Sequence, residues 1–113
     1  ERNKGQWKWT LMIAQPDFIN KELFESAREE VLKKKKLDTA NVRFGKYKEG
    51  KAIQLLHIGS YSNETENISR MHKFMHDNGY TFNGKHHEIY LSDPRKTVPE
   101  KLKTILRQPV KNI

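Results

Sequence analysis

Lys51-Ala-Ile-Gln-Leu-Leu-His-Ile58, then Gly59-Ser-Tyr-Ser-Asn63, then a stretch carrying Ile68, Met71, Phe74 and Met75, decides the fold. The 51–58 run is rich in branched apolar residues and short enough for a strand. The polar 59–63 segment breaks it. Ser62 or Asn63 can cap a helix whose apolar residues recur at helical spacing to about Asn78. Gly79 ends that helix, because a glycine just past the last turn adopts the left-handed backbone without strain. Residues 80–91 read as extended, interrupted at Asn83-Gly84. Ser92-Asp93-Pro94 is a turn. Pro99-Glu100-Lys101-Leu102 suits one helical turn with proline first. Residues 103–110 are the last strand. This is a strand–helix–strand–strand unit.

Working upstream, Glu49-Gly50 would join a short strand at 41–48 to the 51–58 strand as a hairpin. Asn20 caps a helix from Lys21 to about Lys36, with Leu23, Phe24, Ala27, Val31 and Leu32 on its apolar side. Before it, Trp7-Lys-Trp-Thr-Leu-Met-Ile-Ala14 alternates as a strand, Trp7, Trp9, Leu11 and Ile13 sharing one face. The order is βαββαββ: an α+β fold, a largely antiparallel sheet with two packed helices, in one domain over 1–113.

Composition bounds the chemistry. The chain has 113 residues, a formal charge of +8 and no cysteine, so disulfides and cysteine-ligated metals are excluded. No apolar run reaches the roughly 18–20 residues of a membrane span. The charged first ten residues give no expectation of a secretory leader, and a cytoplasmic location is expected. The charge suggests polyanions, yet the positives are scattered. Their one run, Lys33 to Lys36, ends a helix that begins acidic, as the helix dipole favours. The charge therefore reads as a solvated surface, and nucleic acid is disfavoured as a partner.

His72 and His76 lie four apart on the second helix, but Lys73 stands where a zinc protease has glutamate. His86 and His87 point to opposite faces of a strand. No metal and no cofactor is expected. Glu88 stands out, because glutamate is depleted in strands. If Ile89 and Leu91 face the helices, His86, Glu88 and Tyr90 share the opposite face. An aromatic-lined concavity there would desolvate Glu88 and raise its pKa. Trp7, Trp9 and Tyr90 are candidate walls.

Three stretches carry a family resemblance. Gln54-Leu-Leu-His-Ile-Gly-Ser-Tyr61 resembles the strand and loop opening the second repeat of GyrI-like small-molecule-binding domains. His87-Glu-Ile-Tyr-Leu-Ser-Asp-Pro94, with Pro99 to Leu102 and the strand through Pro109-Val110, resembles that family's C-terminal signature. Trp7 to Ile13 with Gln15-Pro-Asp-Phe18 resembles a stand-alone bacterial subgroup. Ser60 departs from the family's usual proline. The resemblance implies paired βαββ repeats around a cleft for flat, hydrophobic or cationic molecules, used by multidrug-responsive activators as a sensor. In the subgroup it implies hydrolysis of cyclopropanoid DNA-alkylating compounds, a detoxification. Glu88 matches the cleft carboxylate and Tyr90 its aromatic partner, both catalytic. Trp7, Trp9, His57 and Tyr61 would contact ligand. A non-catalytic sequestering or sensor module is the other reading the resemblance allows.

The resemblance also implies an incomplete first repeat: its end over 1–40, the second repeat over about 41–113. The sheet would then keep an open edge. A second copy of the chain, or a segment upstream of Glu1, would complete it.

Overall fold

The computed structural model describes residues 8–113, and these divide into two compact units, one up to residue 46 and one over 47–113. In the first unit, helix α1 spans Lys21–Lys35. The Asn20 side chain caps it, accepting a hydrogen bond from the Leu23 backbone N–H at 2.9 Å. Phe24 stacks on Phe44 with ring centroids 5.5 Å apart, and the Arg28 guanidinium lies 5.7 Å over the Phe24 ring. Two expected strands do not form. Among the described residues, 8–14 join no ladder, and Leu11 and Ile13 are 90% and 83% exposed. Alternation names a face, but a strand also needs a paired backbone, and none lies alongside. Trp7 falls outside the described residues. Residues 41–48 likewise make no ladder, so the hairpin at Glu49-Gly50 is absent.

The second unit contains strands β1 (Ala52–Ile58), β2 (Tyr80–Phe82), β3 (His87–Tyr90) and β4 (Lys103–Asn112), with helix α2 (Glu64–Asp77). Single 3-10 turns lie at Tyr61–Asn63 and Pro99–Lys101. All pairings are antiparallel, and β4 is central: β1 lies along one edge, β2 and β3 along the other. The fold is therefore α+β, two helices with a four-stranded antiparallel sheet.

The ladder partner that 41–48 does not supply to β1 comes from β4. Its Leu106 opposes Leu55 and its Thr104 opposes His57.

Residues 80–90 would be one strand but for a slip in register. Phe82 opposes Val110, whereas His87 opposes Arg107. The cause is Pro109, which has no N–H to give the ladder at this point. Its carbonyl still accepts from Asn83 N at 2.9 Å. The buried Gln108 side chain substitutes for the missing donor, giving hydrogen bonds to the Gly84 and Pro109 carbonyls at 2.9 and 3.0 Å. Gly84 takes φ +130°, a left-handed value that disfavours other residues there.

Register assigns the two faces of the sheet, because directly opposed residues share a face. Thr104, Leu106, Gln108 and Val110 are all buried. With His57 and Leu55 of β1 and Glu88 and Tyr90 of β3, they form the face beneath α2. The buried Met71 and Met75 of α2, with Leu102, complete the core. The other face carries the row Leu56–Ile105–Ile89 and the row Gln54–Arg107–His87.

Candidate functional site

Glu88 and Tyr90 therefore lie on the helix side of the sheet, and Ile89 lies on the open side, 39% exposed. This reverses the side expected from the apolar residues. The reason is that the covering end of α2 is polar. Its first residue, Glu64, is 8% exposed, and it is among the groups that influence the ionisation of Glu88. Three residues on, Asn67 reaches the strand row below.

Three side chains act on Glu88, and a fourth, Tyr61, packs against one of them. His86 Nε2 lies 3.3 Å from Oε2, and the Tyr90 hydroxyl donates to Oε1 at 3.3 Å. Glu64 acts from α2. Tyr61 meets the Tyr90 ring edge-on, with centroids 5.5 Å apart. Alternation places His86, Glu88 and Tyr90 on one side of the strand. His87 accordingly turns to the other face, where it and Arg107 hold Glu49 at 2.9 and 2.7 Å.

The electrostatics depart from the sequence expectation. Glu88 is held below the usual carboxylate range, not raised. The His86 hydrogen bond is the largest cause; the charge of His86 and hydrogen bonds from Glu64 and Tyr90 add to it. Burial pushes the other way and is outweighed. Tyr90 moves in the opposite sense. Burial first, then the Glu88 charge beside it, pushes its phenol up to about 12. Glu88 is thus a stable anion, and Tyr90 a phenol that stays protonated and donates.

His57 sits beneath the site, 3% exposed. Its Nε2 donates to the Ser60 carbonyl at 2.9 Å, and its Nδ1 accepts from Asn67 Nδ2 at 2.8 Å. These partners require the neutral ring with the proton on Nε2. Arg70 donates to Asn67 Oδ1 at 3.0 Å, which fixes the orientation of the amide. With both nitrogens engaged, His57 acts on the site through the 59–61 loop that presents Tyr61. Ser60 takes φ −66°, the value a proline would impose, so the loop keeps that geometry without one. An open cavity of about 290 Å³ adjoins this loop, lined by Ile58, Gly59, Ser60, Asn63, Pro99 and Glu100; neither Glu64 nor Glu88 is among its lining residues.

Trp9 is 64% exposed and belongs to the first unit. Sequence reasoning missed Glu64 and Asn67, because acid and amide residues in a first helical turn look like ordinary end effects. The available signal was their spacing of three, which puts both on one helix face above β1 and β3. Among the described residues, no three His, Cys, Asp or Glu side chains cluster to hold a metal ion. His72 packs edge-on against Phe82, centroids 5.3 Å apart.

The family model of the GyrI-like small molecule binding domain matches residues 20–111. No curated protein matches. Among solved structures, a hydrolase from Listeria innocua is 45% identical at TM-score 0.77, covering 86% of this chain and 52% of its own. An uncharacterized conserved protein from the same organism is 46% identical at TM-score 0.80, covering 86% and 50%. The chain thus spans about half the length of these structures.

Proposed function

This chain belongs to the GyrI-like small-molecule-binding domain family, and from that premise we propose that Glu88 is the carboxylate around which it binds its ligand. The observation that carries this reading is a half-buried carboxylate hydrogen-bonded by His86 and Tyr90, with the Tyr61 ring edge-on against Tyr90. A fixed negative charge beside aromatic rings suits flat, hydrophobic cations. The rings supply apolar contact and cation–π attraction, and the carboxylate supplies charge. A planar monocation such as ethidium is a suitable probe. Replacing Glu88 with Gln should weaken its binding by about tenfold or more, on the scale of a charge partner lost from a partly desolvated site.

The similar structure called a hydrolase supports a hydrolytic reading, and we place that reaction at Glu88. We assign the substrate class as strained, electrophilic cyclopropanes of the DNA-alkylating type. Water attacks a ring carbon, a C–O bond forms and a ring C–C bond breaks. Glu88 takes the proton from water as it attacks. The electron pair of the broken bond moves into the conjugated acceptor of the substrate, which then takes that proton back from Glu88. Tyr90, protonated throughout, can donate a hydrogen bond to the acceptor as its charge grows. Ring strain lets so weakly basic a carboxylate serve. The test is mass spectrometry of a neutral cyclopropane alkylator incubated with the protein. Wild type should yield the water adduct, and Glu88→Gln should bind the compound without product. Equal product from both refutes this role of Glu88.

A second reading is favoured by the depressed pKa of Glu88, which suits a charge partner better than a base. On that reading the domain sequesters or senses its ligand, and wild type yields no water adduct while still binding.

A further inference from the structure

We propose that Asn67 and His57 are positioning residues of the Glu88 site: they hold the 59–61 loop so that the Tyr61 ring stands against Tyr90, and they set ligand affinity without touching the ligand. The inference rests on the reading of Glu88 as the ligand carboxylate and adds to it the residues that place its aromatic wall.

A histidine buried on the core face of a sheet needs a reason. His57 is 3% exposed, and burying its polar ring costs free energy that an apolar side chain would not. Two hydrogen bonds of fixed sense offset that cost. The chain of donors starts on the surface of α2. Arg70 Nη1 donates to Asn67 Oδ1 at 3.0 Å, so the amide nitrogen is the end that faces the sheet. Asn67 Nδ2 donates to His57 Nδ1 at 2.8 Å. That ring nitrogen then carries no proton, and the one proton of the neutral ring lies on Nε2. Nε2 donates it to the Ser60 carbonyl at 2.9 Å. The same carbonyl accepts from Asn63 N at 3.1 Å, so both of its lone pairs are used. A tautomer fixed from α2 thus decides where the loop after β1 rests.

The ring lies directly beneath that loop, since a side chain on Gly59 would come 3.7 Å from His57 Nε2. Gly59 N donates to the Leu102 carbonyl at 2.9 Å and ties the start of the loop to β4. The Ser60 hydroxyl bonds only within the loop, to Ser62 Oγ at 2.9 Å. The hold on the next residue, Tyr61, therefore falls to His57. Tyr61 meets the Tyr90 ring with centroids 5.5 Å apart, and the Tyr90 hydroxyl donates to Glu88 at 3.3 Å. A leucine at 57 would fill the same core and leave the Ser60 carbonyl without this donor.

The test uses the whole chain with ethidium as the probe. Tyr61→Ala removes the wall and should weaken binding about fivefold, the scale of one aromatic contact. Asn67→Ala should weaken it by a similar factor. The double variant should bind no more weakly than Tyr61→Ala alone, because Asn67 acts through that ring, whereas independent losses would add. His57→Leu should lose affinity, and His57→Gln, whose amide can donate to the Ser60 carbonyl, should restore it to within about twofold of wild type. Two spectra need no ligand. Nitrogen-15 resonances should show His57 protonated at Nε2 and bare at Nδ1. Overhauser contacts between the Tyr61 and Tyr90 rings should be present in wild type and lost in Asn67→Ala. The opposite tautomer, a ring contact that survives in Asn67→Ala, unchanged ethidium affinity in that variant, or additive losses in the double variant would each overturn the proposal. Equal binding of ethidium to wild type and Glu88→Gln would instead refute the ligand site, while the two spectra would still decide whether Asn67 and His57 place Tyr61.

Discussion

Replacing Asn67 with Ala should cost more stability than its half-polar position on α2 suggests. Asn67 Nδ2 donates to His57 Nδ1 at 2.8 Å, and the imidazole is 3% exposed. Ala leaves that nitrogen without a donor. An orphaned buried acceptor costs about 1–3 kcal/mol, and the partly buried setting admits some water, so we expect about 1.5 kcal/mol. For a unit of this size that is a fall of roughly 5–10 °C in Tm. The assay is urea denaturation followed by far-ultraviolet circular dichroism, with an unchanged m-value to show that the unfolded state is the same. A double-mutant cycle isolates the pair. Asn67→Leu combined with His57→Phe replaces both partners by apolar groups, and the coupling energy should be about 1 kcal/mol. A loss below about 0.3 kcal/mol for Asn67→Ala, within the noise of ordinary surface changes, would refute the claim that Asn67 holds His57 and, through it, the loop carrying Tyr61.

Three further outcomes follow from the same geometry. In a spectrophotometric titration of the four tyrosines, one step should come at about 12 and vanish in Tyr90→Phe; a late step that survives the substitution contradicts the environment described for Tyr90. Because the fold lowers the pKa of Glu88, its ionised form contributes stability above the unfolded value of about 4.3, and that contribution is lost as pH falls through the depressed folded value. The stability difference between wild type and Glu88→Gln should therefore be constant near neutrality and shrink in acid; a difference that grows in acid would reverse the sign of the shift. Thr104 is fully buried, and its hydroxyl has no hydrogen-bond partner among the described residues. Thr104→Val should leave thermal stability unchanged or raise it by up to about 1 kcal/mol, whereas a loss of that size would reveal a water or other partner on the hydroxyl.

Much of the second unit was legible in the sequence, for reasons that can be named. Gly79 ends α2 with φ +76°, and Asn83-Gly84 marks the break between β2 and β3. That break has its cause in Pro109 on another strand, which no local reading of 80–91 could supply. The strands expected at 7–14 and 41–48 failed on a different point. Alternation reports a face to be buried, and it is silent about which backbone will pair. Apolar Ile89 and Leu91 suggest themselves for the helix side of the sheet, yet the register puts Glu88 there. The end of α2 that covers β3 presents Glu64 and Asn67, and these polar groups match Glu88 and His57. The direction of the Glu88 shift was hidden for the same reason. Burial follows from a strand glutamate, but the groups that outweigh it are His86, Tyr90 and Glu64, the last twenty-four residues upstream on α2.

The central claim is that the Glu88 carboxylate is where this domain meets its ligand. Fluorescence titration of a planar monocation, ethidium, into wild type and Glu88→Gln at pH 7 tests it most directly. The account predicts saturable binding to wild type and a weakening of about tenfold or more in the variant. Equal affinity in both proteins would contradict it.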